Sequence, residues 1–147
     1  MRRAQTVLAF DFGRKRIGIA SGDTVTRQAA PRGAVAVLRS GPDWHALERA
    51  VRTLAPAVLV VGAPYNADGS EGPLLAAARR FAAELERRFA LPVQLVDERY
   101  SSLEASESLK QRRASGERRR RIRAADIDSA GAAVILGRWF EGEGQGT

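Results

Sequence analysis

The pattern of apolar and polar positions divides the chain into short strands followed by longer helical stretches. Val7, Leu8, Ala9, Phe10 and Phe12 form an almost unbroken apolar run, as expected of a strand covered on both faces. Gly13, Arg14, Lys15 and Arg16 make a basic turn. Residues 17–21 (IGIAS) read as a second strand pairing back on the first, with Gly18 leaving one face open. A third strand is expected at residues 34–38 (AVAVL), after the breakers Pro31 and Gly33. Trp44, Leu47, Val51 and Leu54 then recur at helical spacing, with Asp43 in the first turn, Glu48 and Arg52 as an i,i+4 pair, and Pro56 as the stop. Residues 58–61 are a short buried strand, followed by an irregular loop over 62–70 with an Asp-Gly turn. A long helix is predicted over 73–89, with Leu74, Ala78, Phe81, Leu85 and Phe89 on one stripe, and a last strand over 93–96. Ser101 and Glu104 fit a capping box that opens another helix. A final helix over 125–140 carries Ile127, Ala130, Val134 and Trp139.

The first three strands are close enough in sequence to form an antiparallel meander. The later two, each separated by a helix, are expected parallel to the first. The class is therefore α/β, a mixed five-stranded sheet flanked by helices, which is the architecture of the ribonuclease H-like fold. Residues 1–140 are expected to be one domain, and 141–147 a mobile Gly-rich tail.

Charge changes this picture most. The 147 residues hold 24 Lys+Arg against 17 Asp+Glu. Residues 110–123 (KQRRASGERRRRIR) contain eight of the bases and one acid, so the rest of the chain is balanced and the whole net charge of +7 sits in that segment. Such a run suits a polyanion, because neutralising phosphates releases counterions. Lys110, Arg112, Arg113, Arg118, Arg119, Arg120, Arg121 and Arg123 are the candidate nucleic-acid contacts there, the alternative being a solvated loop. Cysteine is absent, which excludes disulfides, thiolate zinc sites and a Cys nucleophile. No apolar run approaches the roughly 20 residues of a membrane span, and the N-terminus does not read as a signal peptide. The expectation is a cytoplasmic protein without a membrane partner.

Three carboxylates stand out by context. Asp11 interrupts the first apolar strand, where an ionised group loses water and needs compensation. Glu98 follows the last strand, and Asp128 lies in the first turn of the last helix. In open α/β sheets, functional groups gather where strand ends meet helix termini. A carboxylate cluster there suits Mg²⁺ or Mn²⁺, two ions being able to activate water and stabilise the leaving oxygen of a phosphodiester. Each acid also has a plainer role: Asp11 bonded to strand backbone, Glu98 paired with Arg99, Asp128 facing the helix dipole. Asp126 competes with Asp128 as third ligand, and Asp97 is expected to point away from Glu98. Arg14, Lys15 and Arg16, beside Asp11, suit phosphates near the metals. The single histidine, His45, reads as an ordinary helix side chain.

Four blocks carry a family likeness. They are Asp11-Phe12-Gly13 with the run KRIGIA at 15–20; VGAP at 61–64 with Asp68-Gly69-Ser70; DERYSS at 97–102; and DSAGAA at 128–133. With these, in this order, the chain resembles the Holliday-junction-resolvase-like family, also called pre-16S rRNA nucleases (YqgF/RuvX type). The resemblance implies a ribonuclease H-like fold, divalent-metal nuclease activity, and metal-ligand roles for Asp11, Glu98 and Asp128. It also implies trimming of the 5′ end of pre-16S rRNA in ribosome biogenesis, on a ribosomal precursor particle, while the older name implies cutting four-way DNA. Gly131 interrupts the alanine-rich helix start usual in the family, and the run of arginines at 118–121 is unusually basic.

The leading expectation is thus a metal-dependent nuclease acting on structured RNA, with Arg99 and the basic segment among its contacts. A Holliday junction resolvase acting on branched DNA is the alternative, and would require a homodimer; RNA processing is compatible with a monomer. A non-catalytic nucleic-acid-binding module is the alternative of another class.

Overall fold

The computed structural model describes residues 4–63, 72–97 and 124–145. Their elements are β1 (Thr6–Phe12), β2 (Arg16–Asp23), β3 (Ala29–Leu38), β4 (Gly41–Pro42), α1 (Trp44–Leu54), β5 (Val58–Ala63), α2 (Pro73–Phe89), β6 (Val93–Asp97) and α3 (Ala124–Gln145). They form one sheet in the order β4-β3-β2-β1-β5-β6. β1, β2 and β3 are the expected antiparallel meander, and β5 and β6 run parallel to β1.

The sheet has six strands rather than five. The additional one, β4, is two residues long and turns back on the end of β3 through Gly41, whose φ of 123° is open to glycine. A pair this short has no period to detect, and its Pro42 is tolerated because it sits at a sheet edge. β3 also starts earlier than expected, running through Pro31 and Gly33 instead of following them. The pairing of Gly18 with Ala34 gives way to Ala20 with Pro31, so β3 holds one extra residue. This is a β-bulge, and Gly33 supplies the positive φ of 86° within it.

Two hydrophobic layers cover the sheet. Leu8 and Phe10 of β1 pack with Leu47 and Val51 of α1 and with Ala78, Phe81, Ala82 and Leu85 of α2. Phe81 is the hub, with ring centroids 5.7 Å from Phe10, 5.1 Å from Phe12 and 5.6 Å from Trp44. Val7 and Ala9 point the other way, onto Ala132, Ile135, Leu136, Trp139 and Phe140 of α3. The alternation follows from the period of two along a strand.

The helices begin and end for local reasons. Asp43 caps α1 by accepting the N–H of Ala46 at 3.2 Å, and Ala55 ends it in the left-handed region before Pro56. α2 opens with Pro73, whose missing N–H costs nothing in the first turn. Its buried stripe takes Leu75 rather than Leu74. On α3 the buried stripe is Ala132, Ile135, Leu136, Trp139 and Phe140; of the expected line Trp139 belongs to it, while Ile127, Ala130 and Val134 are only partly buried. That helix has too many apolar positions for spacing alone to choose a face. It also continues past Phe140 to Gln145, because Gly142 and Gly144 weaken a helix without stopping it as proline would. The helix expected from Ser101 lies outside the described residues. Among the described residues no helix is long and apolar enough to cross a membrane.

Candidate active site

β1 carries Asp11 to the carboxyl end of the central strand, on the row of Val7 and Ala9 that faces α3. Opposite it on β2 stands Gly18. Gly18 has no side chain on that face, and the space is filled by the backbone carbonyl of Asp128. Gly131, one turn further along α3, leaves the space into which the Asp11 carboxylate projects: a Cβ at position 131 would fall against Oδ2 of Asp11. Two missing side chains therefore let the start of α3 close down over the end of β1 and β2. They bring Asp11 and Asp128 to one place, although 117 positions separate them in the chain.

Asp128 is held from two sides. Its Oδ2 accepts a hydrogen bond from Nε of Arg16 at 2.6 Å, an ion pair about one-quarter exposed on the acid and two-fifths exposed on the base. Its neighbour Ser129 is buried, 2% exposed. The Ser129 hydroxyl donates to the carbonyl of Ile19 at 3.0 Å and accepts the N–H of Gly33 at 2.9 Å. The Gly33 N–H belongs to the bulge in β3, so the hydroxyl joins β2, β3 and α3 at one point. At the far end, Trp139 donates from Nε1 to Gln94 of β6 at 2.7 Å. The rings of Trp139 and Phe140 pack edge to face.

The basic turn divides. Arg14 and Lys15 are exposed at its tip, and Gly13 closes it by donating to the Arg16 carbonyl at 3.0 Å. Arg16 turns inward to Asp128. Asp97 lies on the face of β6 opposite Val96 and Gln94, which face α3, so its side chain is directed away from Asp11. His45 is exposed on α1, across the sheet from Asp11. Asp126 lies in the first turn of α3, two positions before Asp128. Glu98, Arg99 and all the candidate bases of segment 110–123 lie outside the described residues; of the loop expected over 62–70, residues 62 and 63 belong to β5 and the rest lie outside the described residues. Among the described residues no three acidic or histidine side chains gather into a metal site.

Sequence reasoning did not assign roles to Ser129 or Gly131. The signal for Ser129 was a lone hydroxyl followed by an apolar helix face. For Gly131 it was a glycine one turn after an acid, where alanine makes the better helix former.

Residues 5–142 match the model of the RuvX family, described as Holliday junction resolvase. A relative from Xanthomonas campestris pv. campestris (strain 8004), named "Putative pre-16S rRNA nuclease", is 44% identical over 147 residues, covering all of this chain and 94% of the relative. The chain belongs to the RuvX Holliday junction resolvase family. A relative of the same name from Cronobacter sakazakii is 43% identical over 139 residues, covering 95% of this chain and 98% of its own. This membership makes the chain a nuclease. The fold is similar to that of Thermus thermophilus RuvC, solved in complex with Holliday junction substrate, with a TM-score of 0.55, 15% identity and 97% of both chains covered. It is also similar to that of the yeast mitochondrial resolvase Ydc2, with a TM-score of 0.53, 11% identity, and 95% and 79% covered. Both establish the ribonuclease H-like, RuvC-type fold.

Proposed function

We propose that this nuclease hydrolyses phosphodiester bonds at the 5′ end of pre-16S rRNA, using two divalent ions, Mg²⁺ or Mn²⁺, held by Asp11, Glu98 and Asp128. One observation carries the reading: α3 closes over Asp11 through two glycine gaps and delivers Asp128 beside it. The donor set fits such an ion, because carboxylate oxygens are the hard ligands that Mg²⁺ and Mn²⁺ prefer. The cradle fits as well, since the Gly131 gap leaves the Asp11 carboxylate free of a flanking methyl. Asp128 is favoured over Asp126 because both its carbonyl and its carboxylate meet β2. Glu98 is favoured over Asp97 because Asp97 belongs to the other face of β6.

Bound ions supply Lewis acidity and a nucleophilic water at neutral pH. The chain's own residues do the rest. Asp11 and Asp128 orient ligand oxygens from rigid elements, a strand and a helix pinned by Ser129. Arg14 and Lys15, at the exposed tip of the turn, attract the phosphate chain, and the bases of segment 110–123 extend that contact over a structured RNA. The relatives' name favours the ribosomal precursor as substrate, and with it a cytoplasmic setting.

The test compares cutting of a pre-16S 5′ fragment with cutting of a four-way DNA junction, using one preparation with Mn²⁺ or Mg²⁺. The RNA is expected to be cut in preference. Asp11→Asn is expected to abolish cutting and leave RNA binding largely intact. Equal cutting by the variant overturns the site assignment, and preference for the junction makes the chain a resolvase.

A further inference from the structure

We propose that Arg16 is a built-in counter-cation for the carboxylate site: it competes with the divalent ion for Asp128 and is passed to the substrate's phosphate when the ion binds. The inference rests on the reading of Asp128 as a metal ligand.

The α3-facing row of β2 is Arg16, Gly18, Ala20 and Gly22. Three of its four members are too small to separate strand from helix: Gly18 meets the Asp128 backbone, Ala20 packs in the α3 layer, and Gly22 lies under Phe140. Arg16 is the one long side chain in the row, placed at its end beside Asp128. Since Asp11 pairs with Gly18, Arg16 is also the diagonal cross-strand neighbour of Asp11, a separation of about 7–8 Å that a long side chain spans. One guanidinium is thus paired with Asp128 and anchored within a long side chain's reach of Asp11. It offsets their mutual repulsion, which otherwise opposes the docking of α3.

The contact is built to be exchanged. It uses Nε on one oxygen, and both partners keep solvent contact, which places it among ion pairs of small net worth. A divalent ion on the same carboxylate repels the guanidinium and offers the oxygen a stronger partner. An arginine released there keeps its planar fork of donors, which matches a phosphate. Ion and RNA would then reinforce one another through a single side chain.

The experiment titrates Mn²⁺ into RNA-free protein by calorimetry, for wild type, Arg16→Gln, Arg16→Lys and Asp128→Asn, with melting curves to confirm folding. Arg16→Gln is expected to tighten Mn²⁺ binding roughly threefold or more, as expected for loss of an exposed competing ion pair. Arg16→Lys is expected to fall between it and wild type. Unchanged or weakened binding in Arg16→Gln, with weakened binding in Asp128→Asn, overturns the competition and leaves the metal site standing. Unchanged binding in Asp128→Asn overturns the ligand reading, and this inference with it. RNA binding reads the second half. Arg16→Gln and wild type are expected to bind a pre-16S fragment alike in EDTA, and wild type more tightly in Ca²⁺ at a concentration where no cutting is seen. An equal loss in both buffers overturns the transfer to phosphate.

Discussion

Two glycines admit α3 to the sheet, and they should respond differently to alanine. In Gly18→Ala the new Cβ would stand 1.9 Å from the carbonyl oxygen of Asp128 and 2.3 Å from its carbon. These are backbone atoms of a helix whose Ser129 is tied to β2 and β3, so no rotamer relieves the clash. Restoring ordinary contact requires α3 to retreat by about 1.5 Å at that turn. That breaks the Ser129 bonds and loosens the layer around Ala132 and Ile135. Overpacking of this kind costs about 1–3 kcal/mol and more when backbone must move, so about 3 kcal/mol is expected. At roughly 2–4 °C per kcal/mol for a chain of this size, the melting temperature should fall by roughly 6–12 °C. In Gly131→Ala the Cβ would meet the Asp11 side chain rather than backbone, and a side chain yields more readily. The clash is relieved cheaply, and replacing a helical glycine returns up to about 1 kcal/mol. Gly131→Ala should therefore melt within a few degrees of wild type, about 3 °C at most, yet bind Mn²⁺ more weakly because Asp11 is turned. Differential scanning calorimetry with Mn²⁺ titration reads both. A Gly18→Ala protein that melts like wild type would refute the packing argument. A Gly131→Ala protein with unchanged Mn²⁺ affinity would refute the claim that this gap sets the Asp11 carboxylate.

Ser129→Ala should lower stability by about 1–3 kcal/mol, because it leaves the Gly33 N–H and the Ile19 carbonyl without their bonds. Thermal melting checks it, and an unchanged midpoint would show that the hydroxyl does not pin the helix. Glu84 gives a pH signature. Hydrogen bonds from Arg87 at 2.9 Å and Arg88 at 2.8 Å hold its carboxyl down from 4.5 to about 2. A depressed acid contributes stability above its unfolded pKa and loses it as pH falls through the folded one. The melting difference between wild type and Glu84→Gln should thus be constant above about pH 5 and shrink between about 4.5 and 2. A difference that stays constant down to pH 2 would contradict the ion-pair cause.

Much of this fold was legible because its strands and first two helices carry strong patterns. The unbroken apolar run of β1 and the Trp44, Leu47, Val51 spacing of α1 each permit one reading. β3 was misjudged at its start because Pro31 and Gly33 are local breakers, whereas the bulge that accommodates them depends on Ser129, nearly a hundred residues away. The buried face of α3 was legible only in part: Trp139 belongs to it as expected, but Ile127, Ala130 and Val134 are as apolar as the residues that are covered, and only the sheet decides which side is buried. Asp11 was recognisable as an acid out of place in an apolar strand, and Asp128 as one of two acids in the first turn of the last helix. The ion pair from Arg16 to Asp128 was not, since a basic residue in a turn looks the same whether it faces solvent or a carboxylate.

The anchoring of α3 sets how precisely the site is aimed. The helix carries Asp128 near one end and Phe140, packed against Gly22, twelve residues away. At 1.5 Å per residue that is about 18 Å of lever. Where the Ser129 bonds yield, a tilt of only about three degrees at Phe140 would swing Asp128 by about 1 Å, a displacement large enough elsewhere to cost about a hundredfold in rate. The Trp139 bond to Gln94 and the packing of Phe140 therefore act as a remote adjustment of the site. Substitutions there, at the opposite end of the helix from the chemistry, should detune catalysis before they unfold the protein.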